Sequence, residues 1–139
     1  MAETVADRMT KDVFTLTLKD TLRAAVELVM QKHIRHMPVV DGDGRVLGIV
    51  TDRDVKRALP SPLVHVDEDA REKLLDETPI ARLMTKDPIT VTPGTPLADA
   101  VRTIVSKKIG GLPVIEHGKL VGIFTEIDAL KAYLELLDA

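Results

Sequence analysis

Apolar and polar positions follow two different periods along this chain, and the same succession of patterns occurs twice. Residues 13–18, and later 89–92, set β-branched and apolar side chains at nearly alternate places, which predicts a short strand in each half. The spacing then lengthens. Leu22, Ala25, Val26 and Val29, like Leu97, Ala100, Val101 and Ile104, recur every three or four residues and form one stripe of a helix. Asp20 stands at the first helix start. Thr95 stands at the second, an N-cap followed by Pro96 at the first helical position.

Each helix leads into two apolar runs joined by a turn. Residues 37–40 and 46–50 flank Asp41-Gly-Asp-Gly44, and residues 112–115 and 120–124 flank His117-Gly118, so both pairs predict hairpins. A last helix begins near Thr51 in one half and Thr125 in the other. Between the halves, Pro60-Ser-Pro62 breaks regular structure. Residues 67–77 then place Ala70, Leu74 and Leu75 on one side of a strongly acidic segment, which predicts a short amphipathic helix with a solvated face.

The two halves are copies of one another. Setting residues 5–59 beside 80–133 aligns Met9-Thr-Lys-Asp12 with Met84-Thr-Lys-Asp87, Pro38-Val39 with Pro113-Val114, and Gly48-Ile49 with Gly122-Ile123. About twenty identities over about 55 positions establish an internal repeat. The organisation that follows is repeat 1 over residues 1–60, a linker with a short helix over 61–79, and repeat 2 over 80–139. A single repeat is too small to cover its own sheet, and pairing two sheets about an approximate twofold axis buries both. The helical stripes over residues 22–30 and 97–105 are broad, which leads to the expectation of a homodimer built through these helices.

Composition narrows the functions. The 139 residues carry 19 Lys and Arg against 22 Asp and Glu, a formal charge of -3, so nucleic acid is not the expected partner. Phe14, Phe124 and Tyr133 are too few and scattered for a base-stacking platform. There is no cysteine, no apolar leader and no run of membrane-spanning length, which points to a cytoplasmic protein without a membrane partner. His33 and His36 lack acidic neighbours in their loop and are read as surface histidines, with no metal site.

Two constellations could carry chemistry. Thr51-x-x-Asp54 and Thr125-x-x-Asp128 each follow an apolar strand at a helix start. They fit a capping box, in which the two residues satisfy free helical N–H groups. They also fit ligand binding, with the hydroxyl toward a phosphate and the carboxylate toward a ribose diol. The second constellation is Ile34-Arg-His-Met-Pro38 with its counterpart Ile109-Gly-Gly-Leu-Pro113. Proline there either fixes the start of a strand or marks a binding segment. Arg35 and His36, with Arg53 and Arg57 nearby in sequence, offer positive charge that Gly110, Gly111 and Ile127 lack, so two sites would be unequal. No nucleophile with a matched base, Walker loop or Gly-x-Gly-x-x-Gly is present, and an enzyme is not expected.

These motifs, recurring in order from Val5 to Leu134, resemble the tandem cystathionine β-synthase (CBS) domain pair, or Bateman module, and are similar to the pair in acetoin-utilisation-type proteins. The resemblance implies an α/β fold of two β-α-β-β-α repeats, related by a pseudo-twofold axis and packed through their sheets. It implies a regulatory module that binds AMP, ADP, ATP or S-adenosylmethionine in clefts between the repeats, with no obligatory cofactor. One cleft would use Thr51 and Asp54 with Ile89, Thr90, Ile109 and Pro113, and Arg53 beside them would be a phosphate partner with Arg35 and His36. Its mate would use Thr125 and Asp128 with Phe14, Thr15, Ile34, Arg35, His36 and Pro38. A structural dimerisation module with degenerate, non-binding clefts is the alternative.

Overall fold

The structure, a computed structural model, describes residues 2–139. After a single 3-10 turn at Val5–Asp7 come α1 (Leu22–Lys32), β1 (His36–Val40), β2 (Val46–Thr51), α2 (Asp52–Ala58), α3 (Glu68–Glu77), α4 (Ile80–Leu83) and β3 (Thr85–Lys86). The second half contributes α5 (Leu97–Lys107), β4 (Gly111–Glu116), β5 (Lys119–Thr125) and α6 (Glu126–Asp138). The predicted hairpins, helical stripes and final helices are all present.

The chain forms two compact units whose limits are not those of the sequence repeats. One is the continuous stretch Phe14–Asp87; the other joins the residues up to Val13 to Pro88–Ala139. Each hairpin is therefore completed by a segment of the other repeat. In the continuous unit, β3 pairs antiparallel with β2, Thr85 opposite Ile49 and Lys86 opposite Gly48. In the other, Thr10 exchanges both backbone hydrogen bonds with Ile123, at 2.8 and 2.9 Å. Glycine permits this approach. A Cβ on Gly48 would lie 2.8 Å from the Thr85 carbonyl oxygen, and one on Gly122 would lie 2.9 Å from that of Thr10. The matched Met84 and Met9 sulfurs press on the same two glycines.

The helix starts also draw on residues outside their own repeat. Asp20 and Thr95 are not the N-caps; Thr21 and Pro96 are, and neither makes a side-chain cap. Backbone carbonyls do that work instead, Thr78 accepting from the Leu22 N–H at 2.8 Å and Glu3 from the Leu97 N–H at 2.9 Å. Asp20 turns back to accept from the Thr17 N–H, and Thr95 from that of Thr92.

The predicted strands at 13–18 and 89–92 contract to single bridges, Leu16 with Val39 and Val91 with Val114. Leu16 donates to the Pro38 carbonyl and accepts from the Val40 N–H. The next rung would need a donor at position 38, and proline has none. Pro113 stops the second strand in the same way.

Leu16, Leu22, Met37, Val50, Val55 and Ile80 lead the core of the continuous unit; Val5, Val91, Leu112, Val114 and Phe124 lead the other. The acidic helix α3 belongs to the first core through Leu75. Its face is not simply solvated: Asp76 accepts from Arg23 Nε at 2.6 Å and Nη2 at 3.1 Å, and Glu72 also accepts from Arg23 Nη2. This fork holds the Asp76 carboxyl below the usual carboxylate range. The α1 and α5 stripes are largely consumed in these cores, leaving Met30 and Val105 exposed, whereas α6 keeps a row of exposed apolar side chains.

Candidate functional site

Both Thr–Asp pairs sit where a strand turns into a helix, and both form complete capping boxes. Thr51, in extended conformation, accepts at its hydroxyl from the Asp54 N–H at 3.2 Å. Asp54 Oδ2 accepts from the Thr51 N–H at 2.8 Å and from its hydroxyl at 3.0 Å. The second pair repeats this closely: the Thr125 hydroxyl accepts at 3.3 Å, and Asp128 Oδ2 accepts at 2.9 and 3.1 Å. The capping geometry is thus realised twice. It fixes the rotamer of each aspartate and commits one of its two oxygens.

The remaining oxygens differ. Among the described residues, Asp54 Oδ1 has the guanidinium of exposed Arg57 at 3.8 Å and no hydrogen bond, and the Asp54 side chain stays 17% exposed. Asp128, a buried residue, directs Oδ1 to the Thr10 hydroxyl, which donates to it at 3.0 Å. Sequence reasoning passed over Thr10. Its only signal was its position in the repeated Met-Thr-Lys-Asp, beside a glycine hairpin that could not be assigned to it from sequence.

The pre-proline segments lie against these helix starts. His36 faces Thr51 across β1 and β2, and Gly111 faces Thr125 across β4 and β5. The Arg35 carbonyl accepts from the Asp52 N–H at 3.0 Å, and the Gly110 carbonyl from the Glu126 N–H at 2.9 Å. Two of the first three helical N–H groups in each copy are therefore already taken, which lessens what the helix start alone can offer a phosphate.

In the continuous unit, Arg35 and Arg53 are exposed, Ile34 and His36 half-buried, and Pro38 buried. Phe14 and Thr15 are exposed there too, beside the rung that Pro38 removes. Thr125, Asp128, Ile89, Thr90, Ile109 and Pro113 belong to the other unit. Ile89 and Thr90 are exposed there, Ile109 half-buried and Pro113 buried. The structure thus brings Thr51 and Asp54 beside Arg35 and His36 of the same repeat, and places Ile89, Thr90, Ile109 and Pro113 in the unit of Asp128.

The comparisons agree on the kind of protein this resembles. The family model of the CBS domain matches residues 4–61 and again 80–135. A CBS domain-containing protein of Dictyostelium discoideum is 33% identical over 135 residues, 96% of this chain and 93% of the relative. A solved structure of an acetoin utilization protein, AcuB, from Vibrio cholerae superposes with a TM-score of 0.82 at 33% identity, covering 99% of this chain and 95% of that one. CBSX2, solved in complex with AMP, matches at 29% identity with a TM-score of 0.79, over 97% of this chain and 98% of that one. Its Arabidopsis thaliana origin accompanies a second structure of the same protein.

Proposed function

Because the chain belongs to the CBS-domain family, with a tandem pair running along nearly its whole length, we propose that it is a cytoplasmic regulatory module that binds an adenine-containing nucleotide and catalyses nothing. AMP, ADP, ATP and S-adenosylmethionine are the candidate ligands. The binding of AMP by CBSX2 supports this choice.

The observation that carries the reading is Asp54. Its carboxylate is locked by the cap through Oδ2, yet Oδ1 keeps lone pairs that no hydroxyl or amide among the described residues takes up. A preorganised, partly exposed carboxylate oxygen suits a ribose hydroxyl. We assign the ligand contacts to Thr51, Arg53, Asp54, Phe14, Thr15, Ile34, Arg35, His36 and Pro38 in the continuous unit, and to Thr125, Asp128, Ile89, Thr90, Ile109 and Pro113 in the other. Exposed Arg35 is the candidate phosphate partner, since a guanidinium can hold a phosphate through two hydrogen bonds.

Thermal unfolding with each candidate ligand tests the proposal. A ligand at 100 times its dissociation constant adds about 2.7 kcal/mol of stability. Arg35→Ala is expected to weaken AMP, ADP and ATP while leaving adenosine nearly unchanged. Absence of any shift with all four ligands would sink the reading.

A second reading, a structural dimerisation module without ligand, is favoured by α6. Ile127, Leu130, Leu134 and Leu137 are 48–61% exposed and spaced three, four and three residues apart, a seam pattern for helix pairing. We include a homodimer through this helix in the proposal, and the ligand screen decides between the two readings.

A further inference from the structure

Asp54 and Asp128 hold matched places and form the same cap with Oδ2, but among the described residues only Asp128 has its second oxygen engaged by a hydroxyl. The donor, Thr10, is fixed by its backbone pairing with Ile123 at 2.8 and 2.9 Å. Its counterpart Thr85 pairs in the same way with Ile49, yet among the described residues it makes no hydrogen bond to Asp54. The repeat is therefore asymmetric at one atom. Asp128 Oδ2 receives two hydrogen bonds and Oδ1 a third, and the residue is 7% exposed. Oδ1 keeps a further lone pair, but the buried carboxylate already spreads its charge over three donors, so a ribose diol gains less there than at Asp54 Oδ1, which no hydroxyl or amide among the described residues engages.

We propose that Thr10 is a positioning residue that sets ribose specificity: by occupying Asp128 Oδ1 it withdraws that carboxylate from a ribose diol, leaving Asp54 to read ribose alone. The inference rests on the nucleotide-binding reading above and divides its two ligand sets into one that senses the 2′-hydroxyl and one that does not. Threonine at position 10 acts by holding Asp128, so a residue that keeps the hydroxyl keeps the effect. Asparagine at position 54 can retain the cap through its carbonyl oxygen while presenting an NH2 group where Oδ1 stood, which removes the acceptor for the diol.

Calorimetric titration of the full chain with AMP and with 2′-deoxy-AMP tests this on the parent, Thr10→Val, Thr10→Ser and Asp54→Asn proteins. The parent is expected to prefer AMP by about ten- to hundredfold at one site per chain, the range of a charge-assisted hydrogen bond. Asp54→Asn abolishes the preference. Thr10→Val creates a second AMP-preferring site, and Thr10→Ser restores the parental behaviour. The inference is overturned by two AMP-preferring sites in the parent, by a preference that survives in Asp54→Asn, or by a folded Thr10→Val protein that keeps one such site. If Thr10→Val does not fold, Thr10→Ala, which also removes the hydroxyl, takes its place with the same expected and overturning outcomes. A parent that binds neither nucleotide removes the nucleotide-binding reading itself, and this inference with it.

Discussion

Leu16 donates its N–H to the Pro38 carbonyl at 2.9 Å, and the same proline denies the segment its next rung. A ladder that stops after one bridge leaves Phe14 and Thr15 exposed rather than paired. Replacing Pro38 or Pro113 with alanine supplies the missing donor. The new bond adds about 0.5–1.5 kcal/mol, and the freer unfolded chain takes back about 0.4–1 kcal/mol. Both rings are buried, and truncating them also removes packing at about 0.8 kcal/mol per CH2, so a net loss of stability is expected, while hydrogen exchange shows a protected amide at the substituted position. A rapidly exchanging amide there would show that something other than proline ends the strand.

Much of this architecture is legible in the sequence, and the part that is not has a physical cause. The helical stripes, the hairpins and the Thr–Asp caps are local patterns, each fixed by residues within a few positions of one another. The pairing of Met9-Thr10 with Gly122 is not local. Both hairpins offer the same Gly-Ile edge and both Met-Thr segments fit it, so the repeat conceals which segment meets which edge. Pro38 and Pro113 were visible, but their effect on the ladder depends on the register with Leu16 and Val91, which sequence does not display. Of the candidate site, the caps could be read directly, whereas the difference between Asp54 and Asp128 depends on Thr10, more than a hundred residues from its partner.

The glycines at 48 and 122 are expected to resist substitution. Alanine at either position drives a Cβ into a backbone oxygen at 2.8 or 2.9 Å, and the opposing segment must move. Overpacking of this kind costs about 1–3 kcal/mol in urea unfolding. Gly42, where an added Cβ would meet nothing within 4 Å, is the control and should change stability by less than about 0.5 kcal/mol. Equal effects at all three would contradict the close approach.

Arg23 and Asp76 give a pH signature. The Arg23 fork lowers the Asp76 pKa from its ordinary 3.8, so the pair contributes stability above that value and loses it as pH falls through the lower folded value. Asp76→Asn should melt below the parent at pH 7, and the difference should close as pH falls below about 4. A difference that persists unchanged in strong acid would assign the effect to packing.

Helix α6 should govern self-association. Leu130→Glu with Leu134→Glu places charge in the middle of the exposed seam, where neither side chain belongs to either core cluster. Sedimentation at micromolar protein is expected to show the parent as a dimer and the double variant as a monomer, with far-ultraviolet circular dichroism unchanged. A parent that sediments as a monomer at every concentration would remove the homodimer from the proposal.

The borrowed segments also set an order of events on the ribosome. Phe14–Asp87 is continuous and can close as soon as it has emerged, whereas Met9 and Thr10 must wait for Gly122 and Ile123 to be translated. At about 5–20 residues per second that wait is on the order of ten seconds. Until residues 84–85 emerge, the glycine edge already made is Gly48–Ile49, which has the same Gly-Ile sequence and belongs to Met84-Thr85. The repeated Met-Thr thus has two edges of like sequence to choose between, and the final pairing gives the earlier edge to the later segment and the later edge to the earlier one.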